Sequence, residues 1–148
     1  MVKVYLDTSV FSAVLDDRQP GRQEATRTFW ETRIMYTCVS SDVARREIED
    51  NPDPVRRGRM LELYSKVEHI AVTRQVQQLA DEYIGRGVFT AGMLDDALHV
   101  ASASIAFCPV LLSWNFRHLA NRRRRMSVSA VNTELGYAPM DIVSPAEV

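Results

Sequence analysis

Four polar residues carry the side chains best suited to chemistry in this chain. Asp7 directly follows an apparent first strand, Glu47 lies in a short helix after the second, and Asp96 opens a helix in mid-chain. Asn115 directly follows a later apolar strand. Converging carboxylates repel one another and stay ionised together only beside a compensating cation. Oxygen ligands without a Cys or His cluster suit Mg²⁺ or Mn²⁺, and such an ion activates water and screens phosphate, so we expect phosphodiester chemistry.

Short apolar strands alternate with helices along the chain. Strands are predicted at residues 2–6, 36–39, 110–114 and 140–143, and residues 67–72 read as a short strand or an extended connection. Helical spacing of apolar residues predicts helices over 10–15, 22–35, 43–48, 54–64, 74–84, 94–105 and near 128–135. This alternation predicts an α/β protein, with a parallel sheet of about four to five strands flanked by helices. Such sheets place their sites at the carboxyl ends of the strands, where the four polar residues fall.

Each of these residues also has a purely structural interpretation. Asp7 could be a helix N-cap, and Asp95 and Asp96 could be stabilised by the positive end of a helix dipole. Glu47 could lie on a solvated helix face, and Asn115 could cap a turn. The functional interpretation depends on all of these residues falling together where the fold would place a site.

Length and composition are those of one ordinary globular domain spanning residues 1–148. The chain is 46% hydrophobic and 25% charged, which excludes disordered, collagen-like and coiled-coil chains. Its net charge is −1, from 18 basic and 19 acidic residues, so any attraction for nucleic acid must come from a local patch.

Compartment and membrane association can be anticipated from three features. The two cysteines, Cys38 and Cys108, lie far apart in apolar stretches without metal-type spacing, and we expect reduced, buried thiols. No apolar run is long enough to span a membrane. The first strand begins almost at the N-terminus, so we expect no secretory signal and a cytoplasmic protein.

A basic segment follows the strand that precedes Asn115. Arg117 and the run Arg122–Arg125 concentrate positive charge there, close in sequence to Trp114 and Phe116. Arginines that contact phosphates and aromatic faces that stack on bases would make an RNA-binding rim, with Arg117 as a substrate contact. The alternative is a solvated helix start beside aromatic residues of the core.

Several ordered segments together resemble a known family. They are Tyr5-Leu6-Asp7-Thr8-Ser9, Glu47 in its helix, Asp96-Ala97-Leu98-His99-Val100-Ala101, Leu111-Leu112-Ser113-Trp114-Asn115-Phe116-Arg117-His118-Leu119-Ala120-Asn121, Asn132-Thr133-Glu134-Leu135-Gly136-Tyr137 and Ile142-Val143-Ser144-Pro145. Along nearly its whole length the chain resembles the PIN-domain ribonucleases, and among them the VapC-type toxins of bacterial toxin–antitoxin pairs.

The resemblance implies a PIN fold with a metal-binding acidic cluster. Asp7 and Asp96 would be the principal ligands of Mg²⁺ or Mn²⁺, and Glu47 would bind directly or through water. Asp95 would be an auxiliary charge or merely exposed. The implied activity is metal-dependent cleavage of RNA by a toxin, restrained by a cognate antitoxin. Apolar helical faces also make a homodimer plausible.

The chain departs from the family pattern at Asn115, where many members carry a fourth acid. An amide can still bind a metal or its water, so Asn115 remains a candidate catalytic residue, but one negative charge is lost. We therefore expect one firm metal site. Thr8 and Ser9 could orient a metal-bound water or touch the substrate phosphate, or simply cap the helix. His99 lies one turn after Asp96, close enough to reach the acidic cluster, but it is expected to pack beside the core. His118 is expected to lie on the rim.

Two other functions remain open at this point. A PIN-fold module that binds RNA or protein without cutting would suit Asn115. A phosphohydrolase or phospho-acceptor domain using Asp7 as nucleophile fits less well. Ser9 stands where one such family needs a second Asp, and Lys is almost absent beyond Lys66, where a receiver domain needs one.

Overall fold

A five-stranded, entirely parallel sheet forms the centre of the chain. The computed structural model describes residues 1–148. The strands are β1 (Lys3–Leu6), β2 (Thr37–Ser41), β3 (Glu68–Ile70), β4 (Val110–Leu112) and β5 (Asp141–Val143). All adjacent strands pair in parallel, which confirms the predicted α/β class and strand number.

Seven helices connect and cover these strands. They are α1 (Thr8–Leu15), α2 (Pro20–Thr32), α3 (Asp42–Glu49), α4 (Pro54–Tyr64), α5 (Arg74–Gly85), α6 (Leu94–Ile105) and α7 (Arg122–Glu134). Single 3₁₀ turns add Arg33–Met35, Ala91–Met93 and Pro145–Glu147. No helix combines the length and the apolar character needed to cross a bilayer.

The strand order is β3-β2-β1-β4-β5, with β1 in the middle. The chain builds outward from β1 through β2 to β3, and then returns to add β4 and β5 on the other side of β1. The order therefore reverses between β1 and β4, and a crevice opens at the carboxyl ends of strands at such a point. Asp7 and Ser113 are the first residues after these two strands.

Successive side chains of a strand point to opposite faces of the sheet, and the buried core is therefore divided into two clusters, one on each face. Tyr5 belongs to the cluster that α5, α6 and α7 cover, whereas its neighbours Val4 and Leu6 belong to the cluster under α1, α2 and α4. Leu111 and Leu112 in β4 divide in the same way. Burial on both faces explains why the strands read as continuous apolar runs.

Helix starts follow capping chemistry that is visible in the sequence. Asp7 accepts from the Ser9 amide at the start of α1, and Ser41 accepts from the Val43 amide at the start of α3. An N-cap side chain satisfies amide groups that have no partner within the helix. Asp7 directly follows β1 and Ser41 is the last residue of β2, so each strand passes directly into the next helix.

Two details differ from the sequence predictions, and one segment that the sequence left open is now assigned. Ile34 falls on the apolar side of the helix predicted over 22–35, but it is 78% exposed because α2 ends at Thr32 and a 3₁₀ turn changes the helical phase. The ambiguous segment 67–72 contains the short strand β3. The strand predicted over 110–114 ends at Leu112, which leaves Ser113 and Trp114 in the loop. Both cysteines are free and buried, as predicted.

Candidate active site at the carboxyl end of the sheet

Asp7 lies at the crevice and is held there by two serines. It is only 4% exposed. Its Oδ1 accepts from the amide of Ser9 at 2.9 Å and from the Ser9 hydroxyl at 2.5 Å. Its Oδ2 accepts from the Ser113 hydroxyl at 2.6 Å. Because Ser113 follows β4 and Asp7 follows β1, the carboxylate joins the two strands at the point where the sheet order reverses.

Burial raises the pKa of Asp7 above its ordinary value. The nearby charge of His99 and the hydrogen bonds from Ser113 and Ser9 oppose this effect without cancelling it. The ionised carboxylate is therefore less stable here than in water. A perturbed, buried acid in a crevice is typical of a functional site, because a bound cation would relieve the penalty.

Glu47 is joined to the core through His99. The Thr8 hydroxyl donates to Glu47 Oε1 at 2.8 Å, and His99 Nε2 lies 2.5 Å from the same oxygen. His99 Nδ1 is hydrogen-bonded to the Tyr5 hydroxyl at 2.7 Å, and that hydroxyl lies 2.6 Å from Ser41 Oγ. The chain of contacts fixes the imidazole ring, which is buried beneath the carboxylates.

The pKa values of Glu47 and His99 shift in opposite directions from their ordinary values. Burial alone would raise the pKa of Glu47, but the hydrogen bond and charge of His99, together with Thr8, lower it overall. Burial alone would lower the pKa of His99, but Glu47, and then Asp7 and Asp96, raise it overall. Both directions favour an ionised pair of Glu47 and His99.

Asp96 and Asp95 occupy different environments although they are neighbours in the first turn of α6. Asp96 Oδ2 lies 3.2 Å from His118 Nδ1, and its side chain is mostly buried. Asp95 points outward and forms an ion pair with Arg46 on the surface. Asp96 is therefore the more enclosed of the two acids, and its assignment to the site, in place of Asp95, stays a prediction.

Asn115 caps a turn. Its side-chain oxygen accepts from the His118 backbone N–H at 3.0 Å, and its backbone N–H donates to Ser113 Oγ at 2.9 Å. Its backbone carbonyl accepts from the amides of Leu119 and Ala120. Asn115 therefore has the turn-capping role that its structural interpretation predicted. The same turn places His118 beside Asp96.

The hydroxyls predicted to contact substrate already have partners within the protein. Thr8 donates to Glu47, and Ser9 donates to Asp7 while its oxygen accepts from the Trp114 amide at 2.8 Å. Their position beside two candidate ligands agrees with a role in orienting them. Direct contact of these hydroxyls with substrate stays a prediction, as does that of Arg117.

The donor chemistry of these acids fits a hard divalent cation. Oε2 of Glu47 and Oδ1 of Asp96 accept no hydrogen bond from the protein, and Oδ2 of Asp7 accepts only one. Carboxylate oxygens are the ligands that Mg²⁺ prefers. No group of three or more His, Cys, Asp or Glu side chains is gathered closely enough to hold an ion. The ligand set therefore remains a prediction.

The sequence predictions miss two participants, and a third has both of the roles that the sequence allows. His99 packs in the core, as predicted, and it also reaches the acidic cluster through Glu47. His118 is predicted on the rim, yet it reaches Asp96. Ser113 lies within the strand predicted over 110–114 and is not among the candidate residues, because that strand ends at Leu112 only in the structure. The rule that parallel strands present their sites at their carboxyl ends could have identified Ser113.

No protein-family model matches the sequence, and no curated protein matches it. Solved structures do match over the full chain. DNA-bound VapBC from Salmonella typhimurium is 15% identical with a TM-score of 0.62, covering 98% of this chain and 99% of that one. FitAcB from Neisseria gonorrhoeae is 12% identical with a TM-score of 0.62, covering 98% and 99%.

A third solved structure is that of a toxin alone. VapC20 from Mycobacterium tuberculosis, a toxin that cleaves the sarcin–ricin loop, is 14% identical with a TM-score of 0.60, covering 78% of this chain and 92% of that one. At these identities the similarity concerns the fold. Together with the strand order, it confirms the architecture that the sequence resemblance implied: this chain has the PIN-like α/β fold of the VapC toxins.

Proposed function

We propose that the chain is a metal-dependent endoribonuclease that cuts RNA phosphodiester bonds, as the toxin of a toxin–antitoxin pair. The observation that carries the proposal is the buried Asp7 at the reversal point of the sheet. It is held by two serines and lies near the charges of His99 and Glu47. A fold that shares this architecture with an RNA-cleaving toxin supports it further.

Asp7, Asp96 and Glu47, hereafter the carboxylate site, would hold Mg²⁺ or Mn²⁺. When bound, the ion would supply an activated water and would screen the charge of the scissile phosphate. The protein's part is to fix the ligands before substrate arrives, because side chains that are already oriented need no reorganisation during the reaction. Ser9 and Ser113 orient Asp7.

Thr8 and His99 do the same for Glu47, since both contact Oε1 and leave Oε2 free. Protonated His99 also lowers the mutual repulsion of the acids while no cation is bound, because a positive charge beside several carboxylates stabilises their ionised forms.

Partners follow from the same comparisons. VapBC and FitAcB are named for both components of their systems, and we infer a cognate antitoxin for this chain. We also propose a homodimer, as the sequence suggested, and a single domain over residues 1–148. An RNA substrate and two free thiols are consistent with action in the cytoplasm.

The neighbouring acids of α6 provide a matched test of the activity. We expect the purified chain to cut RNA with Mg²⁺ or Mn²⁺ and to stop when a chelator removes the ion. Asp96→Asn should slow cleavage by about tenfold or more, the scale for weakened metal sites. Asp95→Asn removes the same charge from the surface and should stay within about twofold of wild type.

Cleavage is followed by gel analysis of a labelled RNA, with both variants purified in parallel. Equal rates for Asp96→Asn and wild type would contradict the proposal. Chelator-insensitive cleavage would do the same, because it would show either a contaminating nuclease or a reaction without the cation.

Replacing Asn115 by Asp should strengthen cation binding. An Asp side chain can still accept from the His118 amide, so the turn is preserved, and a fourth negative charge is added beside the site. Affinity of hard-cation sites rises with ligand charge. We expect Mn²⁺ affinity to rise about tenfold by calorimetry. An unchanged affinity would show that position 115 lies too far from the ion to matter.

A non-catalytic PIN-fold module that binds RNA or protein is the second candidate. The turn-capping role of the Asn115 oxygen favours it, because that oxygen is already used within the protein. Calorimetry distinguishes the two candidates: RNA binding without measurable binding of Mn²⁺ would support the module and exclude the nuclease.

A further inference from the structure

A basic cavity lies between the start of α7 and the loop that follows α5. Its volume is about 490 Å³, within the range of small-ligand sites. Three arginines line it, Arg117, Arg123 and Arg124, together with Thr90 and the Phe116 ring, and no acidic residue does. We refer to it as the arginine cavity. In a chain whose net charge is −1, this local excess of positive charge is the kind of patch that nucleic-acid binding requires.

Two of the three arginines have no partner in the protein. The side chains of Arg117 and Arg123 are exposed. Every ion pair of the chain is formed by other residues. Positive side chains that line a concave surface without compensating acids raise the local potential and attract anions. The cavity is therefore electrostatically prepared for a negatively charged ligand.

Arg124 forms a fixed wall of the cavity. Its guanidinium donates to the Val88 carbonyl and lies 4.5 Å from the centre of the Phe89 ring. Burial lowers the pKa of Arg124, while the nearby charge of Asp96 opposes this effect. The charge of Asp96 therefore lies near this wall of the cavity.

The turn at Asn115 separates the cavity from the carboxylate site. Arg117 lines the cavity, and the next residue, His118, contacts Asp96. The cavity and the Asp96 end of the carboxylate site are therefore contacted by adjacent residues of one short loop.

An aromatic face accompanies the charges. Phe116 is 43% exposed and packs edge-on against Trp114, with the ring centres 5.9 Å apart. The guanidinium of Arg22 lies 5.4 Å from the centre of the Phe116 ring. An aromatic ring that is supported from behind and open in front provides a platform on which an unpaired base can stack.

We propose that the arginine cavity binds a backbone phosphate of single-stranded RNA next to the bond that is cut, with the adjoining base stacked on Phe116. The inference rests on the proposed function for its substrate class, but it adds a site separate from the carboxylates. Phosphate and base lie side by side in every nucleotide, as the arginines and the ring do here. Contacts to phosphate and to a base face carry no sequence information, so this site would position RNA of many sequences.

The test separates binding from cutting. A fluorescein-labelled single-stranded RNA of about 20 nucleotides and mixed sequence is titrated with the full chain in excess chelator, and anisotropy gives the affinity. We expect Arg117→Ala/Arg123→Ala to weaken binding about tenfold. The slope of log affinity against log salt should fall by about 1.4, because each lost contact with a single strand contributes about 0.7.

A charge-matched control removes two arginines elsewhere. Arg59 and Arg74 are also exposed and take part in no ion pair. Arg74 begins α5 beside Gln75, which contacts Tyr137 beyond the far end of α7. Arg59→Ala/Arg74→Ala should change RNA affinity by less than about twofold and leave the salt slope unchanged. The double substitution alters only the electrostatic potential from charges away from the cavity, which salt screens.

Phe116 tests the stacking part independently. Phe116→Ala should weaken binding about tenfold without changing the salt slope, and Phe116→Tyr should restore wild-type affinity, because a phenol ring stacks as a phenyl ring does. Circular dichroism on each variant confirms that the fold is retained.

The outcomes distinguish this inference from the proposed function. If the wild-type chain binds RNA with these dependences but never cuts it, the nuclease proposal fails and the cavity assignment stands. If the arginine variant binds RNA as tightly as its control, with an unchanged slope, the assignment is wrong even where cleavage is normal. The cavity would then serve another anionic partner, such as an acidic peptide segment.

Discussion

Asp7→Asn is expected to reduce RNA cleavage by at least about a hundredfold while making the folded protein more stable. The loss exceeds that expected at Asp96, because Asp7 is nearly buried at the crevice whereas the Asp96 side chain is partly exposed. An Asn side chain can keep its contacts with both serines. Its oxygen can accept from Ser9, and its NH₂ group can donate to the Ser113 hydroxyl oxygen. Only the charge is lost, so the effect on activity reports that charge.

The gain in stability follows from the direction in which the pKa of Asp7 moves. Because that pKa is raised by burial, the folded state favours the protonated acid, and wild type loses stability as the pH rises through the folded-state value. The variant has no such dependence. We expect the free energy of unfolding of Asp7→Asn to equal that of wild type below about pH 4. Near pH 7 it should be higher by about 1 kcal/mol, a typical gain when a strained functional group is neutralised.

Urea unfolding at a series of pH values, in chelator, measures this difference. Asp95→Asn is the control, since it neutralises an exposed acid and should change stability by less than about 0.5 kcal/mol. Wild-type cleavage rates for Asp7→Asn would remove Asp7 from the site. A variant less stable than wild type near neutral pH would show that hydrogen bonding to the charged oxygens outweighs burial.

Local rules account for the parts of the site that were predicted. The short apolar strands and the caps at Asp7 and Ser41 depend on residue types a few positions apart, so the sequence reveals them. The parallel sheet then follows from alternation of strands and helices. Because all carboxyl ends of parallel strands lie at one edge, Asp7 and Asn115 were placed together without any knowledge of their contacts.

Contacts between distant segments could not be predicted in this way. His99 and Glu47 are 52 positions apart, and their hydrogen bond depends on how α6 packs against α3. The periodic pattern of apolar residues assigns a residue to one face of its strand or helix. It does not determine which residue of another element that side chain contacts. The same limit applies to His118, which reaches Asp96 only because the loop after β4 turns at Asn115.

The His99–Glu47 contact should also contribute strongly to stability. His99→Leu fills a similar volume but removes the donor to Glu47 and the partner of the Tyr5 hydroxyl. Tyr5 keeps Ser41, and Glu47 keeps Thr8, so neither group is left without a partner. We expect a loss of about 2 kcal/mol, the scale of a hydrogen bond to a charged group.

The pH dependence of this loss identifies the ionised pair. The pKa of His99 is raised from 6.5, so its contribution is complete below that value and disappears as the pH rises through the folded-state pKa. The pKa of Glu47 is lowered from 4.5, so its contribution is complete above that value and disappears as the pH falls through the folded-state pKa. The stability difference between wild type and His99→Leu should therefore be largest between about pH 4.5 and 6.5.

A double-mutant cycle with Glu47→Gln isolates the interaction from other effects of each substitution. The amide introduced at position 47 would preserve packing while removing the charge, so the coupling free energy between the two positions should be about 1 kcal/mol or more within the same pH range. It should shrink as the pH rises through the folded-state pKa of His99, because the imidazole then becomes neutral. A coupling that does not change with pH would mean that the pair is a neutral hydrogen bond, and the positive charge among the carboxylates would then have to come from the bound cation alone.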